Sequence, residues 1–146
     1  MASTVMTRAA GKFAEKILDA STSVGILILK TAEADATLRN RTTVADILSA
    51  NTEATNVGYA RKTGLTGTVT EDTVNFKQTV TIPTQTWTGV ATAGGAWVKL
   101  IVFLDEGGTD ATRIPLSQHD FAVTPDGTDI ATSSGATSTL EVATAS

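Results

Sequence analysis

The most informative absences concern residues that carry enzyme and metal chemistry. The 146-residue chain has no cysteine and a single histidine, His119. Disulfides and thiolate metal sites are therefore excluded, and one imidazole cannot build a histidine-based metal centre. The carboxylates occur in short pairs instead of the denser clusters that bind calcium. We expect neither a metal ion nor a cofactor.

Charge is scarce as well. Charged residues make up 18% of the chain, against about a quarter in ordinary globular domains, and the net charge is −4. The densest basic groups are two short pairs, Arg39 with Arg41 and Arg61 with Lys62. Nucleic-acid affinity depends on clustered basic residues that neutralise phosphates. The sequence therefore predicts no nucleic-acid partner.

Long apolar runs are also missing. A membrane-spanning helix needs about 18 or more apolar residues. The run at residues 24–29 is far shorter and indicates a buried strand. The basic residues near the N-terminus are not followed by the apolar core of a signal peptide. We expect no membrane partner, no secretory signal, and assembly in the cytoplasm.

Threonine fills the place of the missing charge. It supplies 28 of the 146 residues. Because threonine is β-branched and half-polar, it suits the solvent face of a strand better than the interior of a helix. This composition favours a mainly β protein with exposed sheet.

The N-terminal third is predicted to hold the helical segments. Residues 5–19 form an amphipathic pattern, and a break precedes the strand predicted at 23–30. Residues 31–41 are polar and predict a loop. Thr43 is a good N-cap for a short helix whose apolar residues share one face and which ends by Asn51.

Further along, apolar and polar residues alternate. This pattern predicts strands at 65–70 and 74–82, joined as a hairpin by a turn at Glu71–Asp72. Residues 96–104 are the most apolar stretch and predict the central strand. Two short strands, 113–116 and 119–123, are expected to follow.

These elements predict a single β-rich domain over residues 1–130. We expect it to be mainly β with a minor α+β component, an antiparallel β-sandwich or barrel-like sheet with one or two short helices. Residues 131–146 are low in complexity and nearly uncharged. They predict an extended C-terminal arm that is either disordered or paired with the sheet edge of a neighbouring subunit.

Two local groupings of residues resemble a catalytic site and a metal site. Each is explained more simply as part of an ordinary strand or turn. His119 and Asp120 are adjacent, and Ser117 lies two residues earlier, but neighbouring residues on a strand point to opposite faces. No Gly-x-Ser-x-Gly elbow is present. Asp126 and Asp129 flank a glycine turn with too few oxygen ligands for calcium. The sequence predicts no catalytic residue and therefore no enzyme.

The aromatic residues are few, at 5% of the chain, so each matters to the core or to an interface. Trp97 opens the central strand and is predicted to be core. Trp87 follows Pro83 in a turn-rich segment, and the sequence leaves two roles open for it: a lid over the core or an anchor for a partner. Candidate partner contacts are Trp87, Tyr59, Leu140 and Val142, the last two in the C-terminal arm.

Several sequence blocks, taken in order, resemble a family of small virion structural proteins of tailed bacteriophages. The blocks include Tyr-Ala-Arg-Lys-Thr at 59–63, Thr-Val-Thr-Glu-Asp-Thr at 68–73, Gln-Thr-Trp-Thr at 85–88 and His-Asp-Phe at 119–121. The likeness covers about residues 24–129. It implies a head-associated protein of the decoration or cement type, with the major capsid protein and further copies of itself as partners, located in the virion.

Two alternatives stay open. A tail or neck structural protein, such as a tube, terminator or adaptor, is built from similar β-rich domains. A carbohydrate- or host-receptor-binding module would use an exposed aromatic such as Trp87 as its platform.

Overall fold

A computed structural model describes residues 23–74, 77–132 and 139–143. It confirms the mainly β class, and every strand pair within these residues is antiparallel. The strands are β1 (Ser23–Thr31), β2 (Thr52–Glu53), β3 (Lys62–Leu65), β4 (Thr68–Asp72), β5 (Lys77–Thr81), β6 (Thr86–Trp87), β7 (Trp97–Asp105), β8 (Ile114–Val123), β9 (Ile130–Ala131) and β10 (Thr139–Ala143). The helices are α1 (Asp35–Leu38) and α2 (Val44–Ala50).

The main sheet has the order β2-β1-β7-β8, and β3 pairs with β1 beyond the end of β2. Strands β1 and β7 lie at its centre and pair over seven consecutive residues, as their apolar runs predict. Both carry buried side chains on both faces. Their continuous hydrophobicity follows from this position, because each face of the sheet is covered by its own core.

The first core contains most of the aromatic residues. Trp97 is 1% exposed, which confirms its predicted core position, and its indole Nε1 donates a hydrogen bond to Asn56 Oδ1 at 2.9 Å. The ring of Trp87 packs edge-on against Trp97, with centroids 5.4 Å apart, and Phe121 stacks on Trp97 and also contacts Trp87. Such contacts stabilise a core beyond the area that they bury.

The second core lies between the opposite face of the sheet and the two helices. Helix α2 begins as predicted, since the side chain of Thr43 accepts a hydrogen bond from the backbone N–H of Asp46. Phe103 is fully buried here and faces Gly25 across the strand pair. A Cβ atom at Gly25 would lie 2.3 Å from Phe103 Cζ, so the ring requires glycine at this position.

Two predictions about loops and turns were wrong. The segment 31–41 contains α1, a single helical turn held to the second core by Leu38, which is 3% exposed. The residues Glu71 and Asp72 do not form the hairpin turn; they belong to β4, because the β4–β5 ladder continues to the pair Asp72–Lys77. Turn propensity placed the end of the strand too early.

The prediction of two short strands at 113–116 and 119–123 was also wrong. They form one strand of ten residues, β8, which pairs with β7 throughout. The ladder continues past Pro115 by a bulge at Leu116, and it has a second irregularity between Asp120 and Val123. The polar pair Ser117–Gln118 looks like a break in the sequence, but an edge strand accommodates polar residues because one side faces solvent.

Strands β5 and β4 form a second sheet with β10, in the order β10-β5-β4. Residues 139–143 of the predicted C-terminal arm therefore pair with the chain's own β5. Pairing with a neighbouring subunit stays a prediction. The predicted helix at 5–19 lies outside the described residues. None of the described helices has the length and hydrophobicity needed to cross a membrane.

Candidate interaction surface

Tyr59, a predicted partner contact, is used within the chain. Its hydroxyl accepts a hydrogen bond from the backbone N–H of Ile28 at 3.0 Å and donates one to Glu53 Oε1 at 2.8 Å. Ile28 lies on β1 between the residues that pair with β2 and those that pair with β3. Burial raises the pKa of this hydroxyl well above its usual range. The tyrosine thus fills a gap in the sheet.

Trp87, the second predicted contact, is 1% exposed. Its Nε1 donates a hydrogen bond to the carbonyl oxygen of Ala60 at 2.7 Å, and the ammonium of Lys62 lies 5.4 Å from the ring centroid. Of the two alternatives for Trp87, the structure supports the core one. The turn-rich sequence around it gave no sign that β6 would pair with β9 and place the indole inside.

Leu140 and Val142 lie on β10, where their backbones pair with Val80 and Gln78 of β5. Their role as partner contacts stays a prediction.

A chain of ion pairs links β2 and the residue before β3 to the connection between β7 and β8. The guanidinium of Arg61 binds both carboxylate oxygens of Glu53 at 2.6 Å and reaches Asp110 at 2.5 Å. Asp110 also accepts from Arg113, which in turn binds Asp105 through two nitrogens. Bidentate geometry of this kind is the stronger class of ion pair.

Within this network, each hydrogen-bonded partner favours the charged form of the other. The hydrogen bonds to Glu53 raise the pKa of Arg61, and burial opposes them. The hydrogen bonds from Arg61 hold the pKa of Asp110 below its usual value. Arg61 is 19% exposed at its side chain, so it is committed to this internal network and is not part of a basic surface stripe.

Lys99 joins helix α1 to the edge strand β8. The lysine is 9% exposed, and its ammonium lies 2.6 Å from Asp35 Oδ1 and also binds the carboxylate of Asp120. The hydrogen bond to Asp120 is the main reason that the pKa of Lys99 is raised. A buried ammonium needs such partners because desolvation of an unpaired charge is costly.

His119 and Asp120 point to opposite faces, as predicted from their adjacency on a strand. Asp120 binds Lys99, whereas His119 Nε2 lies 3.0 Å from Ser117 Oγ on the other face. Burial lowers the pKa of His119, so its imidazole is neutral at neutral pH. Among the described residues no carboxylate contacts this imidazole, and the pair lacks the third group of a catalytic triad.

The Asp126–Asp129 turn is occupied by its own hydrogen bonds. Asp126 Oδ1 accepts from the backbone N–H of Thr128 at 3.0 Å and from its hydroxyl at 2.6 Å. Asp129 Oδ1 accepts from the N–H of Gly89 at 2.8 Å. Within the part of the chain that the structure describes, no three potential ligands cluster as a metal site would require.

The inner side of β8 borders a groove against the helices. It encloses about 230 Å³. Most of the residues that line the groove are apolar, and two are arginines. The lining consists of Leu38, Arg39, Arg41, Ile47, Ile101, Pro115, Leu116, Ser117 and Gln118. Arg41 is held by Glu33 and Asp46, whereas Arg39 is exposed.

Strand β8 is the long open edge of the main sheet. Within the described residues it pairs on one side only, with β7. From Ile114 to Gln118 it carries no charged residue, and its exposed apolar residue is Ile114, at 41%. Sequence reasoning missed this surface because it divided the strand at Ser117–Gln118. The signal available was the two-residue spacing of Ser117, His119 and Phe121 beyond Pro115, which suits an edge strand with a bulge.

The chain matches no protein-family model, no curated protein and no solved structure.

Proposed function

We propose that this protein is a structural component of a phage virion, a decoration or cement protein that binds the outer surface of the capsid lattice and stabilises it. The observation that carries the proposal is a contrast: the reactive side chains are paired within the chain, whereas the edge of β8 is open. The ion pairs and hydrogen bonds of the preceding subsection stabilise the fold, whereas β8 presents a long, nearly uncharged strand edge.

The commitment of the reactive groups favours a structural role. Arg61, Lys99 and Tyr59 are each paired within the chain, and His119 has a serine as its hydrogen-bond partner. A protein that acts by binding needs a stable scaffold and accessible edges, and strand addition supplies affinity through main-chain hydrogen bonds.

The capsid lattice as the partner rests on the resemblance of the ordered sequence blocks to phage head proteins. Lattice binding also suits a modest surface such as one strand edge, because many linked contacts raise the effective concentration at each site. The capsid protein and further copies of this chain are the proposed partners, and the virion is the proposed location.

A binding experiment with capsids tests this proposal. Purified protein is mixed with expanded empty capsids that lack it, and the mixture is sedimented and quantified. We expect saturable binding at many copies per shell and capsids that resist heat better. A protein that leaves such capsids unbound, or that forms tubes or rings by itself, contradicts the proposal and favours the tail or neck alternative.

The carbohydrate-binding alternative has no support from Trp87, because a ring that is 1% exposed offers no stacking platform.

A further inference from the structure

The open edge of β8 has a hydrogen-bonding pattern that is complementary to itself. Ser117 Oγ and His119 Nε2 are 3.0 Å apart, two residues apart on the same face of the strand. When the serine hydroxyl donates to Nε2, the neutral imidazole carries its proton on Nδ1. Among the described residues nothing accepts a hydrogen bond from that Nδ1, and the serine oxygen keeps an unused lone pair.

An antiparallel copy of the same strand supplies the matching groups. Around a twofold axis at Gln118, Ser117 of one copy lies opposite His119 of the other, on the same face of the joined sheets. Each Nδ1–H then donates to the serine oxygen of the other copy. The result is a closed ring of four hydrogen bonds, two within the chains and two between them.

The charges along the strand permit this approach. Residues 114–118 are uncharged, and burial keeps the pKa of His119 low. Asp120, the one carboxylate on β8, lies on the opposite face from His119 and binds Lys99, which also binds Asp35. Identical strands often repel each other because charged side chains guard natural sheet edges, but this edge has no such guard at its centre. The bulge at Leu116 and a second irregularity between Asp120 and Val123 limit the pairing to the regular stretch at residues 117–120.

We infer that β8 is the self-association surface of this protein, where a second copy pairs with it antiparallel around Gln118. This inference rests on the self-association included in the proposed function and names its surface. A contact limited to a short stretch of strand is weak in solution, so it holds copies together mainly where the lattice already brings them close.

Single-cysteine cross-linking tests the inference cleanly, since the natural chain has no cysteine. Gln118→Cys places two thiols opposite each other at the axis, where paired Cα atoms about 4.5–5.5 Å apart fall within disulfide range. The matched control is Thr52→Cys, an exposed position on the opposite edge of the same sheet. We expect the Gln118→Cys protein to form covalent dimers several-fold faster than the control.

A second pair of variants tests the register. In an equal mixture of Ser117→Cys and His119→Cys chains, we expect the mixed dimer to exceed the sum of the two self-linked dimers several-fold, whereas random pairing would make the two amounts equal; this test does not depend on the folding of Gln118→Cys. Adding Ser117→Ala to Gln118→Cys removes the hydrogen-bond ring, and we expect cross-linking to slow several-fold; Ser49→Ala, an exposed serine on α2, should not slow it.

Cross-linking of Gln118→Cys no faster than of Thr52→Cys overturns the inference, and so does a rate that Ser117→Ala leaves unchanged. The same Gln118→Cys protein is tested for capsid binding. If it binds capsids without cross-linking, the inference about β8 fails while the proposed function stands. If it cross-links but does not bind capsids, the reverse holds.

Discussion

The two sides of the main sheet end in different ways. On the β2–β3 side, the Tyr59 hydroxyl fills the gap between the strands, and a chain of ion pairs through Arg61 ties the strands to the loop around Asp110. On the β8 side, ten residues run along an edge that carries serine, glutamine and histidine at its centre. The first edge is closed by the chain's own side chains. Among the described residues the second pairs with no strand on its outer side, and we propose that a partner binds there. The following variants separate the two edges.

Removal of the cation at the closed edge should have the largest effect. Arg61→Met leaves Glu53 and Asp110 without their shared partner in a largely buried position. Loss of one partner from a buried ion pair costs about 3 kcal/mol or more of the free energy of unfolding. Urea denaturation measures it, with Arg39→Met as the control, since Arg39 is exposed. A loss equal to that of the control would show that the network contributes little.

Overpacking of the centre of the sheet should come next. Gly25→Ala forces a methyl group into the ring of Phe103, and overpacking of this kind costs about 2 kcal/mol. The double variant with Phe103→Leu should recover part of the loss because the smaller side chain makes room. Thermal unfolding of the two single variants and the double variant measures this coupling. Additive losses would contradict the contact.

Removal of the Tyr59 hydroxyl, which lies between β2 and β3, should have a smaller effect on the free energy of unfolding. Tyr59→Phe leaves the N–H of Ile28 and one oxygen of Glu53 without the hydroxyl. An unsatisfied buried group costs about 1–3 kcal/mol. Amide hydrogen exchange at Ile28 should accelerate along with the loss of stability, whereas Ser49→Ala should change neither. Unchanged exchange would mean that the hydroxyl does not close the sheet.

Acid should weaken the closed edge. The pKa of Asp110 is lowered in the folded state, chiefly by hydrogen bonds from Arg61. Its contribution is therefore complete above the ordinary pKa of an aspartate and is lost as the pH falls through the lowered value. The free energy of unfolding, measured against pH, should fall less steeply in Asp110→Asn than in the natural protein. Parallel curves would contradict this role.

The smallest effect on stability is expected at the open edge. Ser117→Ala removes a partly exposed hydroxyl, and such surface changes alter the free energy of unfolding by less than about 0.5 kcal/mol. The same substitution should nevertheless slow the covalent dimerisation of Gln118→Cys chains, which non-reducing electrophoresis measures. A large loss of stability would show that Ser117 serves the fold and would remove the contrast between the edges.

Local patterns predicted the parts of the fold that depend on local chemistry. The apolar runs of β1 and β7, the core position of Trp97 and the cap at Thr43 follow from neighbouring residues alone. Strand ends were less predictable, since the β4–β5 ladder extends through acidic residues that favour turns and β8 continues through Ser117–Gln118.

The contrast between the two edges could not be predicted because it depends on contacts between distant residues. Arg61 and Asp110 are 49 positions apart in the chain, and Tyr59 and Ile28 are 31 apart. Nothing near Trp87 indicates that it lies inside the core, and Pro115 indicates an edge or a bulge without showing that one strand continues from it through His119. Such assignments require the order of the strands, which periodicity does not specify.

A density map of the intact particle, with this protein located in it, tests the central claim most directly. We predict copies distributed over the outer capsid lattice, with neighbouring copies meeting along β8 where their spacing allows. Density confined to one ring at the neck or tail, or absent from the shell, would contradict the account.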